Sequence, residues 1–274
     1  MIEERYYIMT AEKQSALQTI EEKKSLITGI ADKIWGFAEL SLQEFKSAET
    51  YCEALEKEGF EVERGTSNIE TAFAASYGHG RPYIGILAEY DALSGLSQEA
   101  GATERKEIHV GGNGHGCGHN ILGAGAFAAA LGVKAYLEKN DISGTVILYG
   151  CPGEEGGAAK AFMRVTESGK TRRSLTWHPE DVNEVATGSS NSCIQTQYKF
   201  TGIASHAAGA PEMGRSALDA VELMNIGVQF LREHMSDKQG SIMRSQTQAD
   251  AARTWYSLVQ AFSIWCVPIM WLRR

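Results

Sequence analysis

Gly111-Gly-Asn-Gly-His115-Gly-Cys117-Gly-His119-Asn120 is the stretch whose reading decides how the rest of the chain is understood. It carries three soft or borderline metal donors among glycines that let the backbone turn tightly, so Cys117 and His119 can point at one centre. A thiolate and an imidazole suit zinc or a similar borderline cation, and the helical pattern over residues 121–137 gives the loop a rigid anchor. Alone, the same stretch also reads as a Gly-rich turn with incidental polar residues. The choice depends on whether the chain supplies carboxylates and a further histidine to the same place.

Upstream, Tyr83-Ile-Gly-Ile-Leu-Ala88 is a continuous apolar run of the kind buried in α/β sheets, and it delivers Glu89 and Asp91 at its carboxyl end. Catalytic groups in open α/β sheets gather beyond the carboxyl ends of strands, which sets these acids apart from ordinary surface carboxylates. Downstream, Gly144-Thr-Val-Ile-Leu-Tyr-Gly150 repeats the arrangement and ends in Cys151-Pro-Gly-Glu154-Glu155-Gly-Gly. A tight loop lets one glutamate bind a metal while its neighbour holds a water, whereas on an exposed helix the pair would mean nothing. Ser174-Leu-Thr-Trp-His178-Pro179 then places a histidine at a third strand end, where a lone core histidine is the plain alternative. Three successive strand-to-loop junctions thus carry Asp91, Cys117, His119, Glu154, Glu155 and His178. That constellation predicts a metal site with a spare carboxylate, the combination used for hydrolysis by a metal-activated water.

Around this centre, helical spacing over residues 11–38 and again over 45–58 predicts two amphipathic packing helices, and residues 71–77 predict another strand. The 274 residues, 43% hydrophobic, are enough for a proper core. A net charge of -8 with no basic run argues against nucleic acid or an anionic membrane surface as partner. The N-terminus carries no basic region followed by an apolar stretch, and five scattered cysteines suit a reducing compartment, so a cytoplasmic protein is expected.

At these residues the chain resembles the co-catalytic metallopeptidase and amidohydrolase family. His115-Gly-Cys117-Gly-His119-Asn120 is similar to its His-x-Cys-Gly-His-Asp motif, and Pro152-Gly-Glu154-Glu155-Gly-Gly to its Pro-Ala-Glu-Glu-Gly motif. The resemblance covers about residues 11–238 and departs at Glu89, where many relatives place a histidine, and at Asn120, where the motif has aspartate. It implies an α/β fold: a mixed-sheet catalytic domain with an inserted α+β lid that serves dimerisation, incomplete here. It implies two divalent metal ions, zinc or manganese, with Cys117, His119, Glu155 and His178 as ligands and Glu154 as general base, Asp91 completing the catalytic acids. It also implies a small-molecule N-acyl amino acid as substrate, an aroyl-glutamate such as p-aminobenzoyl-glutamate being favoured, and a homodimer or a heterodimer with a related subunit. His206, in Gly202-Ile-Ala-Ser-His206, matches a lid histidine that binds substrate; a loop histidine capping a helix is the alternative. Two rival functions stay open: a metal-binding interaction protein without chemistry, and a dipeptidase of the same family.

Residues 1–188 are therefore expected to be catalytic domain and 189–238 the start of the lid, with one strand and one helix. Residues 239–274 read differently. Residues 255–272 hold no charge and end in Arg273-Arg274, which raises a membrane span, although Gln260, Ser257, Ser263 and Pro268 weaken it. Shifting the frame one nucleotide earlier, synonymous codons for residues 240–258 encode a strand-turn-strand of the kind the lid needs next, and the single codons of Met243 and Trp255 both fit. An out-of-frame tail is the expectation, with a compensated shift at residues 165–174 suggested by their Lys/Arg-rich character. In that case the chain itself is an inactive fragment.

Overall fold

The computed structural model describes residues 10–156, 173–183, 185, 194–234, 243–249 and 257–264. The chain divides into two compact units, Met1–Asn183 and Glu184–Arg274. The shift suggested at residues 165–174 falls mostly outside the described residues.

The first unit is a five-stranded mixed sheet packed against helices. Its elements are α1 (Ala11–Glu22), α2 (Lys24–Phe37), α3 (Phe45–Lys57), β1 (Glu61–Arg64), β2 (Phe73–His79), β3 (Tyr83–Ala88), α4 (His119–Asn140), β4 (Gly144–Gly150) and β5 (Arg173–Leu175). The sheet order is β1-β2-β4-β3-β5. β3 runs parallel to both β4 and β5, while β2 is antiparallel to β4 and β1 to β2. The carboxyl ends of β4, β3 and β5 therefore lie side by side on one edge, and the three junctions singled out above become neighbours.

Every residue of β4 is buried, which explains why that segment reads as an unbroken apolar run rather than an alternation. The period of two in a strand splits its residues between two faces. Phe73 and Ala75, Ile86 and Ala88, and Val146 and Leu148 face one core with Ile34 of α2, Tyr51 and Leu55 of α3, and Phe127 and Leu131 of α4. Ala74, Leu87, Ile147 and Tyr149 form a smaller cluster on the other face. Each such side chain buried stabilises the fold by roughly 1.5–3 kcal/mol.

Three details differ from the sequence expectation. The helix expected over 11–38 is two helices broken at Lys23, which leaves helical geometry (φ -97°, ψ 9°) and whose Nζ pairs with Glu58 at 2.6 Å. No glycine or proline marks that break. β1 was not expected, because Glu-Val-Glu-Arg is nearly all charge. It holds through its ladder with β2 and through Arg64, which reaches Glu49 and Glu56. α4 begins at His119 itself, so the donor histidine is the first residue of the anchoring helix.

The second unit contains β6 (Ile194–Thr201), α5 (Ala217–Phe230), β7 (Met243–Ala249) and β8 (Ser257–Ile264). Ser216 caps α5 by accepting the Asp219 N–H at 3.1 Å. The three strands form an antiparallel sheet in the order β6-β8-β7. This corrects the expectation that the lid stops after one strand and one helix: β8 pairs with β6 along its length. Residues 257–264 are extended, so the central part of the suspected membrane span is a strand and not a helix. Among the described residues one helix, α4, is long and apolar enough to cross a membrane, and much of it is buried in the core of the first unit.

Candidate metal centre

Gly118, at φ 81°, turns the chain immediately before α4, a geometry glycine adopts at no steric cost. It presents Cys117 just ahead of the helix and His119 at its first position. The rest of the loop is tied to α2: Asn113 donates to the Ala38 carbonyl, Asn120 to that of Ala31, and His115 Nε2 lies 3.0 Å from that of Ile34. His115 also stacks on Trp35, with ring centroids 6.4 Å apart. The third donor of the quoted stretch is thus a buttress rather than a ligand.

His119 is fully buried and forms the hub. Its Nδ1 lies 2.9 Å from Asp91 Oδ1, while its Nε2 faces Glu89 Oε2 at 3.2 Å, Glu154 Oε2 at 3.8 Å and Glu155 Oε1 at 4.0 Å. Asp91 Oδ2 also accepts the Ser41 hydroxyl at 2.8 Å and the Glu155 N–H at 2.9 Å. Burial alone would raise the Asp91 carboxyl, but His119, Ser41 and Glu155 outweigh it and hold it below its ordinary value. Burial alone would likewise lower His119, and Asp91, followed by Glu89 and Glu155, raises it instead. A carboxylate at Nδ1 fixes the tautomer that leaves the Nε2 lone pair facing the three glutamates.

His178, just past β5, completes the set. Its Nδ1–H donates to the Pro179 carbonyl at 2.9 Å, so Nε2 carries the lone pair, 3.3 Å from Cys117 Sγ. Its ring meets that of His119 edge-on at 5.7 Å. Trp177 holds the segment down: its indole N–H donates to the Leu122 carbonyl at 3.0 Å, and its ring fills a notch in α4 where a Cβ on Gly125 would come within 2.5 Å. Burial, and then the charges of Glu155, Glu154 and Glu89, push the Cys117 thiol up to about 12.

The donor set fits a divalent cation. Cys117, His119 and His178 form one group, and Glu89, His119 and Glu154 another, with ligand atoms in each within 4.8 Å of one another. Two ligands sharing a tetrahedral ion at ordinary Zn–N and Zn–S lengths sit about 3.5 Å apart, close to the separations here. Among the described residues, His119 Nε2 and Glu155 Oε1 are buried without a hydrogen-bond partner, as atoms waiting on an ion would be.

Of the residues expected at the site, Cys117, His119, Glu154, Glu155 and His178 converge, with Asp91 behind His119 rather than in either ligand group. Glu89, which the sequence reading left out of the site, belongs in it. The signal was present: residues 89 and 91 alternate on an extended chain, so an acid beside His119 at one position puts the other on the same side. His206 lies in the second unit, where its Nδ1 accepts the N–H groups of Ala208 and Gly209 at 3.2 and 2.8 Å.

The fold defines the class: this is a catalytic domain of the metallopeptidase and amidohydrolase family that the two motifs resemble. Its architecture matches an aminobenzoyl-glutamate utilization protein from Klebsiella pneumoniae, with a TM-score of 0.60 at 16% identity over 92% of this chain and 69% of that one. It also matches a dinuclear metal-binding peptidase of the M20 family from Bacillus subtilis, with a TM-score of 0.50 at 17% identity over 90% of this chain and 66% of that one. Within the class, the chain is a homologue of a p-aminobenzoyl-glutamate hydrolase polypeptide of Escherichia coli, 50% identical over 220 residues, which are 80% of this chain and 46% of the relative. The chain spans about half the length of the curated relatives it matches. No protein-family model matches the sequence.

Proposed function

We propose that this chain carries the metal-binding half of an amidohydrolase that cleaves N-acyl amino acids, with aroyl-glutamates such as p-aminobenzoyl-glutamate as the favoured class. The observation that carries the reading is the convergence of Cys117, His119, His178, Glu89, Glu154 and Glu155 at one edge of three parallel strands. Cys117, His119, Glu155 and His178 act as ligands of two divalent ions, zinc or manganese. When bound, the ions polarise the scissile carbonyl and lower the pKa of the attacking water to roughly 7. Glu154 takes that water's proton and later gives it to the leaving amine. Its side chain is 38% exposed against 21% for Glu155, in keeping with one glutamate open to water and its neighbour held inward. Asp91 works through His119, fixing its tautomer and direction. In the second unit, His206 is assigned to the substrate, with its Nδ1 already accepting two amides and Nε2 left as the donor.

The division into catalytic part (1–188), lid (189–238) and out-of-frame tail (239–274) belongs to the same proposal, as do the cytoplasmic setting and pairing with a like or related subunit. A frame-restored chain loaded with zinc or manganese is expected to hydrolyse p-aminobenzoyl-glutamate. Glu154→Ala should keep its metal and lose about 100- to 10,000-fold in rate, the usual range for a general base. Unchanged turnover in that variant would reassign Glu154 to structure.

A further inference from the structure

We propose that Glu44 is a positioning residue of the metal centre: its buried carboxylate, in the turn between α2 and α3, fixes the loop 153–156 that carries Glu154 and Glu155. The proposal rests on the reading of those two glutamates as general base and metal ligand. Glu44 is completely buried. Its Oε1 accepts the Gly153 N–H at 2.7 Å and the Leu42 N–H at 2.9 Å, and its Oε2 accepts the Thr71 hydroxyl at 3.0 Å. A carboxylate taken wholly out of water is costly unless donors meet it, and each donor left behind on its removal carries its own desolvation penalty.

Two of those donors belong to residues in the left-handed region, Gly153 at φ 66° and Leu42 at φ 63°. For a leucine that conformation is uncommon and must be held by its surroundings. The same short segment meets the loop again on both sides of the glutamates. The Leu42 side chain lies where a Cβ on Gly153 would come within 3.0 Å of it, and Ser41 stands equally close to Gly156. Ser41 also donates to Asp91, whose same oxygen accepts the Glu155 amide. Residues 41–44 therefore grip the loop before Glu154, after Glu155 and at the Glu155 amide. Glu44 supplies the grip at Gly153.

The test is zinc affinity of the full chain, measured against a competing chelator, together with hydrogen exchange at the Gly153 amide. Outer partners of metal ligands typically cost about 10- to 100-fold in affinity when removed, and that loss is expected for Glu44→Asp and Glu44→Ala. Gly153 should lose its protection in both while the amides of β4 keep theirs. Glu44→Gln keeps an oxygen facing Gly153, and the Thr71 hydroxyl can turn to accept from its amide, so affinity should return to within about threefold of the parent. If Glu44→Ala does not fold, Glu44→Asp carries the test. A folded Glu44→Asp with parental zinc affinity and a protected Gly153 would overturn the proposal, and so would loss of protection across β4 as a whole. Glu155→Ala separates the two readings. If it binds zinc like the parent, the ligand assignment fails; if it weakens binding and the Glu44 variants do not, only the role of Glu44 fails.

Discussion

Cys117 shows how a single side chain reports on its surroundings. Without metal, burial and three neighbouring carboxylates hold its thiol protonated up to about pH 12. The thiolate is the reacting form, so alkylation of the metal-free chain should be slow at pH 8 and rise about tenfold per pH unit toward pH 11. Glu155→Gln removes one of those charges and should speed labelling at fixed pH. Mass-spectrometric labelling with iodoacetamide across that range, with and without zinc, checks both points. Rapid labelling at pH 7 in the metal-free state would mean that the thiol does not face the glutamates. At this scale the motif was legible because Cys117 and His119 lie close in sequence and their glycines announce a turn. Glu44 was not legible. A glutamate at the start of an amphipathic helix is ordinary, and only the fold reveals that Gly153 and Thr71 bury it.

The relation between α4 and the segment after β5 decides where His178 sits. Trp177 fits α4 only because residue 125 has no side chain, and Gly118 plays the matching part for Pro179, which a Cβ there would approach within 2.9 Å. Gly125→Val should therefore push Trp177 out of its notch and carry His178 away from Cys117. The expected result is a red shift of tryptophan emission and about 10- to 100-fold weaker zinc binding, with the helix content of the far-UV spectrum unchanged. The strands β3 and β4 could be read from their apolar runs, since strands buried on both faces carry a continuous signal. β1 could not, because its stability comes from pairing with β2 and from Arg64 bridging to α3. The break at Lys23 was hidden for the same reason: a tertiary ion pair, and no local breaker, marks it.

At the scale of the whole molecule the two units depend on different contacts. In the first, one core joins α2, α3 and α4 to the sheet, and Phe127 is fully buried within it. Phe127→Ala should cost about 3–5 kcal/mol, read as a lowered midpoint in urea. In the second, β8 is the central strand, so a chain ending at Lys238 would leave β6 without its partner. Hydrogen exchange should find the alternate amides of β6 protected in the 274-residue chain and unprotected in the shortened one. Equal protection in both would mean that β8 does not pair there. The strand character of residues 257–264 was hidden because a stretch without charge satisfies the composition of a membrane span as readily as that of a strand. The order β4-β3-β5 was likewise out of reach of local patterns, since it depends on which strands pair across long separations, and it is this order that turns three separate junctions into one site. The most direct test of that claim is an anomalous-scattering map at the zinc edge from crystals of the zinc-loaded chain. The account predicts density about 2.3 Å from Cys117 Sγ and about 2.0–2.1 Å from an imidazole nitrogen of His119 or His178, with a glutamate oxygen alongside. Zinc bound elsewhere, or bound without Cys117 and either histidine, would contradict it.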